Sequence, residues 1–300
     1  MIAIVVPYFK ITFFEETLFS LANQSNKNFK VYIGNDASPD DPAELIDKYS
    51  SKINLKYQIY KENWGRSSLT SHWKRCIEMV GSEEWIMILG DDDILGKTVV
   101  ETWYESLDKF CRRASVIRFA TQMIDDKSNK ISKSYNHPVW EIPEYSFYRK
   151  FNRITRSSLS EYIFLKSSYR KYGFFPYPLA WHSDDRAWLE FSESNKIFSI
   201  NDSKVYIRIS PIAISGSKVN LTEKRIARNQ FFKYLVNSRL SKLNNTEKKE
   251  IVRSYHLSIT AIKPIELSEF LFLTYLHIKY FDLIFFKKFL KELISPGSSK

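Results

Sequence analysis

Short apolar runs alternate with helix-patterned segments over the first 120 residues, and this alternation constrains the fold more than any other feature of the chain. Strand-like runs rich in Val, Ile and aromatics lie at 2–6, 29–33, 55–60, 85–89 and 114–120. Helical periodicity fills 13–23, 42–49, 67–80 and 98–110. Strand–helix alternation of this length predicts an α/β fold: a Rossmann-like, mostly parallel sheet flanked by helices. In such sheets ligands bind beyond the carboxyl ends of the strands, so the residues that follow each run are where chemistry is expected.

After the run 85–89 come Gly90 and then Asp91-Asp92-Asp93. Three adjacent carboxylates repel one another and raise one another's pKa, which gains a fold nothing without a cation. Hard oxygen ligands suit Mg²⁺ or Mn²⁺, usually as a bridge to substrate phosphates. The bland alternative is a solvated acidic turn capping the next helix. Extended residues alternate faces, so all three carboxylates cannot bind one ion directly.

Beyond 120 the pattern loosens. Residues 125–180 hold Pro138, Pro143, Pro176 and Pro178 and read as loops and short elements covering a site, with a helix somewhere in 158–172. A helix is expected over 183–193 and a strand over 204–209. From about 221 to 294 the pattern is helical, broken near Asn244-Asn245 and at Pro264. The expected division is therefore an α/β domain over 1–217 and a basic, aromatic-rich helical extension over 218–300.

The charge follows that division. The net charge is +11, yet residues 218–300 hold 16 Lys and Arg against 7 Asp and Glu, leaving only +2 for 1–217. Basic character belongs to the tail and not to the acidic site. A segment over 262–294 that is both basic and aromatic, if amphipathic, either lies on an anionic membrane surface or packs on the first domain or a second copy. Its longest uncharged run, 270–278, is far shorter than the roughly 20 residues a membrane span needs. Cys76 and Cys111 form neither a metal-ligand spacing nor a disulfide framework, and no basic leader opens the sequence. A reducing cytoplasmic setting is the expectation, with contact at the inner membrane face as its extension.

Four segments gain meaning when read together: Pro7-Tyr8-Phe9 after the first strand, Asn35-Asp36-Ala37-Ser38-Pro39-Asp40 after the second, Asn63-Trp64-Gly65-Arg66 after the third, and the Asp triplet. In order and spacing they resemble the family 2 glycosyltransferases of the GT-A fold, well over about 1–120 and more loosely over 180–216. The resemblance implies an inverting enzyme that uses a nucleotide-diphosphate sugar, UDP-linked by preference, with Mg²⁺ or Mn²⁺. It implies metal binding by Asp92, flanked by Asp91 and Asp93, of which Asp91 also faces the donor. It implies base and ribose contacts from Pro7, Tyr8 and Asp36, with Asn63 and Arg66 near the donor and Arg66 neutralising phosphate. Alone, Asn35-Asp36 with Ser38-Pro39 reads equally as an Asx-type turn. Departures are Asn35 for the family's first loop aspartate, Ala37 for its glycine, and Gly90 where many members carry Asp.

The second acidic cluster, Trp181-His182-Ser183-Asp184-Asp185-Arg186-Ala187-Trp188, resembles the family's late Glu-Asp motif, whose aspartate takes the proton of the acceptor hydroxyl. Aligning Trp188 makes Asp184 the base and Asp185 its alternate. Alone, Ser183 followed by acids reads as a helix cap. Downstream, Arg208 and Ser215 match the flexible loop that meets the diphosphate, with a strand-end arginine and a Ser/Gly linker as the plain alternative. The implied acceptor is a glycan or lipid-linked hydroxyl, in bacterial surface polysaccharide synthesis. Association into a homo-oligomer is compatible with the sequence, and nucleic acid is not an expected partner. The competing class is an inactive sugar-nucleotide-binding or nucleic-acid-binding α/β protein.

Overall fold

The computed structural model of the chain describes residues 1–210, 220–283, 285–287 and 290. The chain divides into two compact units, Met1–Lys218 and Val219–Lys300.

In the first unit β1 (Ile2–Tyr8), α1 (Phe14–Ala22), β2 (Phe29–Asn35), α2 (Ala43–Ser50), β3 (Leu55–Ile59), α3 (Leu69–Ile77) and β4 (Trp85–Ile88) follow the alternation expected from the sequence. β1 pairs in parallel with β2 and with β4, and β2 with β3. Then the order changes. A two-residue β5 (Ile94–Leu95) precedes α4 (Val99–Glu105) and α5 (Leu107–Phe110). β6 (Val116–Ile124), β7 (Trp140–Glu141), α6 (Pro143–Phe151), β8 (Tyr162–Leu165), α7 (Lys166–Tyr172), α8 (Ser183–Phe191) and β9 (Ile197–Arg208) complete the unit.

The strands form one sheet in the order β3-β2-β1-β4-β8-β6-β9-β5, with β7 also on β9. β8 lies antiparallel between β4 and β6, so the sheet is parallel in its first half and mixed beyond. The helix expected somewhere in 158–172 is α7, Lys166–Tyr172, and it follows a buried strand, Tyr162–Leu165, that the sequence pattern does not separate from it. A four-residue apolar run does not reveal its period, and burial on both faces selects the strand.

Both faces of the sheet are covered, as an α/β layer structure requires. Along β1, Ile4, Val6 and Tyr8 join the core beneath α1 and α4, with Phe14, Leu18 and Trp103. Ala3 and Val5 face the opposite core, with Trp73 and Cys76 of α3 and Trp188 and Phe191 of α8. The alternation follows directly from the pleat.

The second unit contains α9 (Leu221–Ser238), α10 (Asn245–Thr260) and α11 (Leu267–Lys279). Asn244 caps α10 in a reciprocal box with Glu247, which explains the break expected there. α11 buries Leu273, Leu276 and His277 on one side. Its other side is also apolar: Leu267 is 74% exposed, Leu271 59%, Tyr275 54% and Ile278 52%. The amphipathic helix expected here is therefore apolar on both faces, which a helix exposed only to water does not sustain. Among the described residues no helix is long and apolar enough to cross a membrane.

Candidate active site

The chain leaves β4 at Leu89, whose N–H donates to the Val5 carbonyl at 2.9 Å, and turns at once. Asp93 N–H donates back to the Gly90 carbonyl at 3.3 Å. The Asp triplet thus sits in a turn and not in an extended segment, and the turn sends its three carboxylates to different places. Asp91 Oδ2 accepts from Phe9 N–H at 2.7 Å and Lys10 N–H at 2.8 Å, joining the end of β1 to the end of β4. Asp93 accepts from Ser160 Oγ at 2.5 Å and from Arg208 N–H at 2.9 Å. Asp92 makes no side-chain hydrogen bond to another of the described residues.

Burial raises all three acids. Asp93 is pushed to about 7 by desolvation and the charge of Asp92. Asp91 rises to about 6, desolvation again leading, with the amides of Lys10 and Phe9 pulling the other way. Asp92 is raised by burial against the opposing charges of Arg208 and Lys10. Gly90 matters here because a Cβ at that position would lie 3.0 Å from Asp92 Oδ1 and 3.1 Å from Asp93 Oδ2. Two carboxylate oxygens therefore face one small space.

That arrangement fits a divalent cation held from one side. Among the described residues no three His, Cys, Asp or Glu groups gather to form a metal cage. The protein offers Asp92, with Asp93 behind it, and a hard cation with a reluctant hydration shell would take its other oxygens from water and a diphosphate.

Arg208 is placed differently from expectation. It is 2% exposed, and its side chain is enclosed by protein: Nε donates to the Asp92 carbonyl at 2.9 Å, Nη1 to the Asp125 carbonyl at 2.7 Å, and Nη2 to Glu16 at 2.9 Å and Ser128 at 3.1 Å. With four donors engaged and Phe13 stacked 4.2 Å from its guanidinium carbon, Arg208 clamps the acidic turn from within the protein. Ser215 lies outside the described residues.

Two residues expected at the nucleotide are likewise turned inward. Tyr8 is fully buried, its ring 4.5 Å from Phe14 and its hydroxyl donating to the Asp40 carbonyl at 3.0 Å. Desolvation raises it to about 12. Alternation along β1 explains this, since Tyr8 shares the face of Val6; Pro7, half-buried, points the other way. Asp36 is 2% exposed and organises the turn after β3. It accepts from Trp64 N–H at 2.9 Å, from Gly65 N–H at 2.8 Å and from the Arg75 guanidinium, with His72 Nδ1 at 3.3 Å. A Cβ on Gly65 would lie 2.5 Å from Asp36 Oδ2, so the Asn-x-Gly turn needs its glycine for close approach. Ala37 adopts φ 54, the left-handed conformation that glycine takes at no steric penalty.

The turn that Asp36 holds presents the remaining donor candidates. Asn63 Oδ1 accepts from Arg66 N–H at 2.8 Å, and the Arg66 side chain is exposed with no ion pair among the described residues. Arg75, unremarked in the sequence, lies between Tyr60 and Trp64, its guanidinium carbon 3.9 and 4.7 Å from their rings. His72 beside it is held neutral, lowered to about 4 chiefly by burial.

The second acidic cluster opens α8. Leu179, Ala180 and His182 have φ values of 56, 53 and 70, three left-handed non-glycine residues within four positions. Strain of this kind, roughly 1–3 kcal/mol per residue, persists only where surrounding contacts impose it. The expected Ser183 cap is not formed: His182 occupies the cap position, and Ser183 Oγ donates to the Phe175 carbonyl at 2.6 Å.

The neighbouring acids then diverge. Asp185, 3% exposed at its side chain, accepts from Lys150 Nζ at 2.6 Å and pairs with His182 Nδ1 at 2.7 Å. Burial opposes its charge, but Lys150 and His182 outweigh burial and hold it well below the usual carboxylate range. Asp184 is half-buried, its carboxylate met by the Asp185 backbone N–H and by no side-chain donor among the described residues, and burial and the charge of Asp185 raise its pKa. Lys150, from α6, was invisible as a partner because 35 residues separate it from Asp185.

Segment 156–162 joins the two clusters, and nothing in its local pattern announces this. Ser160 Oγ bonds Asp93 and accepts from Gly90 N–H at 3.0 Å. Two residues on, Tyr162 stacks on Trp188 of α8 with ring centroids 4.1 Å apart.

A mixed sheet with carboxylates at its strand ends and a second acid pair on a late helix is the arrangement of a GT-A scaffold. The profile of glycosyl transferase family 2 matches residues 3–174, and the chain belongs to that family. An uncharacterised glycosyltransferase of Rickettsia typhi is 20% identical over 230 residues, 75% of this chain and 69% of its own length. Glycosyltransferase GlyG of Streptococcus pneumoniae is 24% identical over 110 residues, 36% of each chain. Among solved structures, residues 1–349 of S. aureus TarS in complex with UDP-GlcNAc superpose with a TM-score of 0.65 at 16% identity, covering 89% of this chain and 77% of that one. A Pyrobaculum calidifontis mannosyltransferase with GDP-Man and Mn²⁺ gives 0.55 at 12% identity, covering 86% and 69%. The fold is GT-A.

Proposed function

We propose that this family 2 member transfers a sugar, with inversion, from a UDP-linked donor to a hydroxyl of a glycan or lipid-linked acceptor in bacterial surface polysaccharide synthesis. One observation carries the reading: of two adjacent buried-side acids, Asp185 is neutralised by Lys150 and His182, while Asp184 is left open with a raised pKa. A general base needs both access and proton affinity, and only Asp184 has them.

In the proposed reaction Asp184 takes the proton of the acceptor hydroxyl. The acceptor oxygen forms a bond to the anomeric carbon from the face opposite the diphosphate. The bond from that carbon to the β-phosphate oxygen breaks, and UDP departs with the electron pair. One displacement of this kind inverts the centre. Asp92, with Asp93 behind it, would hold Mg²⁺ or Mn²⁺, which supplies charge neutralisation at a departing diphosphate. Arg66 reaches toward phosphate from the turn that Asp36 and Asn63 shape, Pro7 borders the base, and Asp91 fixes the end of β1 against the acidic turn. The apolar outer face of α11, flanked by Lys263 and Lys279, supports peripheral attachment to an anionic membrane on the cytoplasmic side.

Nucleotide release from a panel of UDP- and GDP-sugars, with Mn²⁺ or EDTA, tests the reading. Turnover of a UDP-sugar that fails with EDTA and with Asp92→Ala is expected. Tight UDP binding with no turnover of any donor would favour the inactive-binder reading instead.

A further inference from the structure

A groove of about 650 Å³ runs between α3 and α7, away from the acidic turn. Its volume lies within the roughly 300–1,000 Å³ of small-ligand sites. α3 contributes one helical ridge that includes Thr70, Lys74 and Glu78; α7 contributes Lys166, Arg170 and Lys171. Four cations against one carboxylate give this lining a clear positive balance. Lys166 Nζ donates to the Gly81 carbonyl at 2.6 Å and Lys171 pairs with Glu193 at 3.0 Å. Lys74 reaches Glu78 only at 3.9 Å, and Arg170, exposed, has no ion pair among the described residues.

The groove also has aromatic walls. Tyr169 and Phe174 line it, with ring centroids 5.9 Å apart, and Tyr172 at its rim is 38% exposed. Rings offer flat apolar faces to sugars, and cations at the rim select chains that carry negative groups.

One end of the groove, at Thr70 and Phe174, adjoins the candidate site; the other, at Val80 and Lys166, lies by the start of β4. α3 begins immediately after the turn that presents Arg66. Phe174 packs edge-on against Trp188, one helical turn beyond Asp184, and the adjacent Phe175 carbonyl receives the Ser183 hydroxyl. A chain lying in the groove therefore meets, at that one end, α3 below the donor turn and Phe174 below the base helix.

We infer that this groove binds an anionic glycan, bearing phosphate or carboxylate groups, as the acceptor chain; the acceptor role rests on the transferase reading above. Fluorescent dextrans of one length, plain, phosphorylated or carboxymethylated, test the inference by equilibrium binding to the full chain at physiological salt. Both charged dextrans are expected to bind and plain dextran not, their ratio reporting which anion is preferred. Lys74→Glu with Arg170→Glu, two surface changes, is expected to weaken charged-dextran binding at least about tenfold, the loss of roughly 1.4 kcal/mol, while UDP affinity stays unchanged. Equal binding of plain and charged dextrans overturns the groove assignment. So does charged-dextran affinity untouched by the double variant, or a single-stranded RNA oligomer that binds more tightly through the same two residues. Because these measurements need no turnover, failure to bind UDP refutes the transferase reading alone, and loss of charge discrimination refutes the groove alone.

Discussion

Replacing Asp184 and Asp185 one at a time by asparagine separates a base from the residue that positions its helix. Asp185 is the partner of Lys150 at 2.6 Å, and its side chain is 3% exposed. Breaking a buried pair strands the remaining charge, at about 3–5 kcal/mol. Lys150 keeps 27% exposure, which sets the penalty at the lower end, about 3 kcal/mol. For a unit of this size 1 kcal/mol shifts the melting temperature by roughly 2–4 °C, so Asp185→Asn should melt roughly 6–12 °C lower. Adding Lys150→Met to Asp185→Asn removes the stranded ammonium, and the double variant should recover part of that loss. Asp184 makes no such pair, and Asp184→Asn should melt close to the parent. Its turnover should nevertheless fall by roughly 10²–10⁴-fold, the usual contribution of a positioned base. Differential scanning fluorimetry and nucleotide-release kinetics read the two effects on the same samples. The reasoning is refuted if Asp185→Asn abolishes turnover without lowering the melting temperature while Asp184→Asn stays active.

Three further outcomes follow from the same geometry. Gly90→Ala places a methyl group against Asp92 and Asp93, and calorimetry should show Mn²⁺-dependent UDP affinity falling by roughly 10–100-fold, as for other disturbed outer partners of metal ligands. Arg208→Met leaves the Asp92 and Asp125 carbonyls without their donor, and it should lower stability by at least about 2 kcal/mol in urea unfolding and weaken UDP binding as well. Glu161, fully buried, is raised to about 7, chiefly by desolvation. Between its unfolded pKa of about 4.3 and pH 7 the unfolded chain has already released this proton while the folded chain retains it, so stability drains away as pH rises. The melting temperature of Glu161→Gln relative to the parent should therefore climb from pH 5 to pH 7 and level off above it; a flat difference would contradict the assignment.

What the sequence revealed and what it hid divide along range of interaction. β1 to β4 and their helices were legible because each carries its own period. The Asp triplet was legible because its members are adjacent. The burial of Tyr8 was legible too, since the pleat assigns it to the face of Val6. The contacts of Arg208, Asp36 and Lys150 were not legible, since their partners lie 192, 39 and 35 positions away. α6 did carry a local sign, Pro143 at its first turn, but the mixed polar and aromatic residues after it masked the periodicity. β8 was lost to an apolar run too short to show whether it repeats every two residues or every 3.6.

The position of Arg208 bears on the order in which the chain matures. Its guanidinium holds Glu16, the Asp92 carbonyl and the Asp125–Ser128 turn together, yet it arrives on the last strand of the sheet. A ribosome must synthesise every other strand of the sheet before that clamp exists. Until then the acidic turn lacks its backbone and side-chain donors from β9, and ligand competence comes late in biogenesis. Contacts that span so much chain are also slow to form. A nascent chain that stops short of β9 therefore lacks the contacts that hold its acidic turn in place.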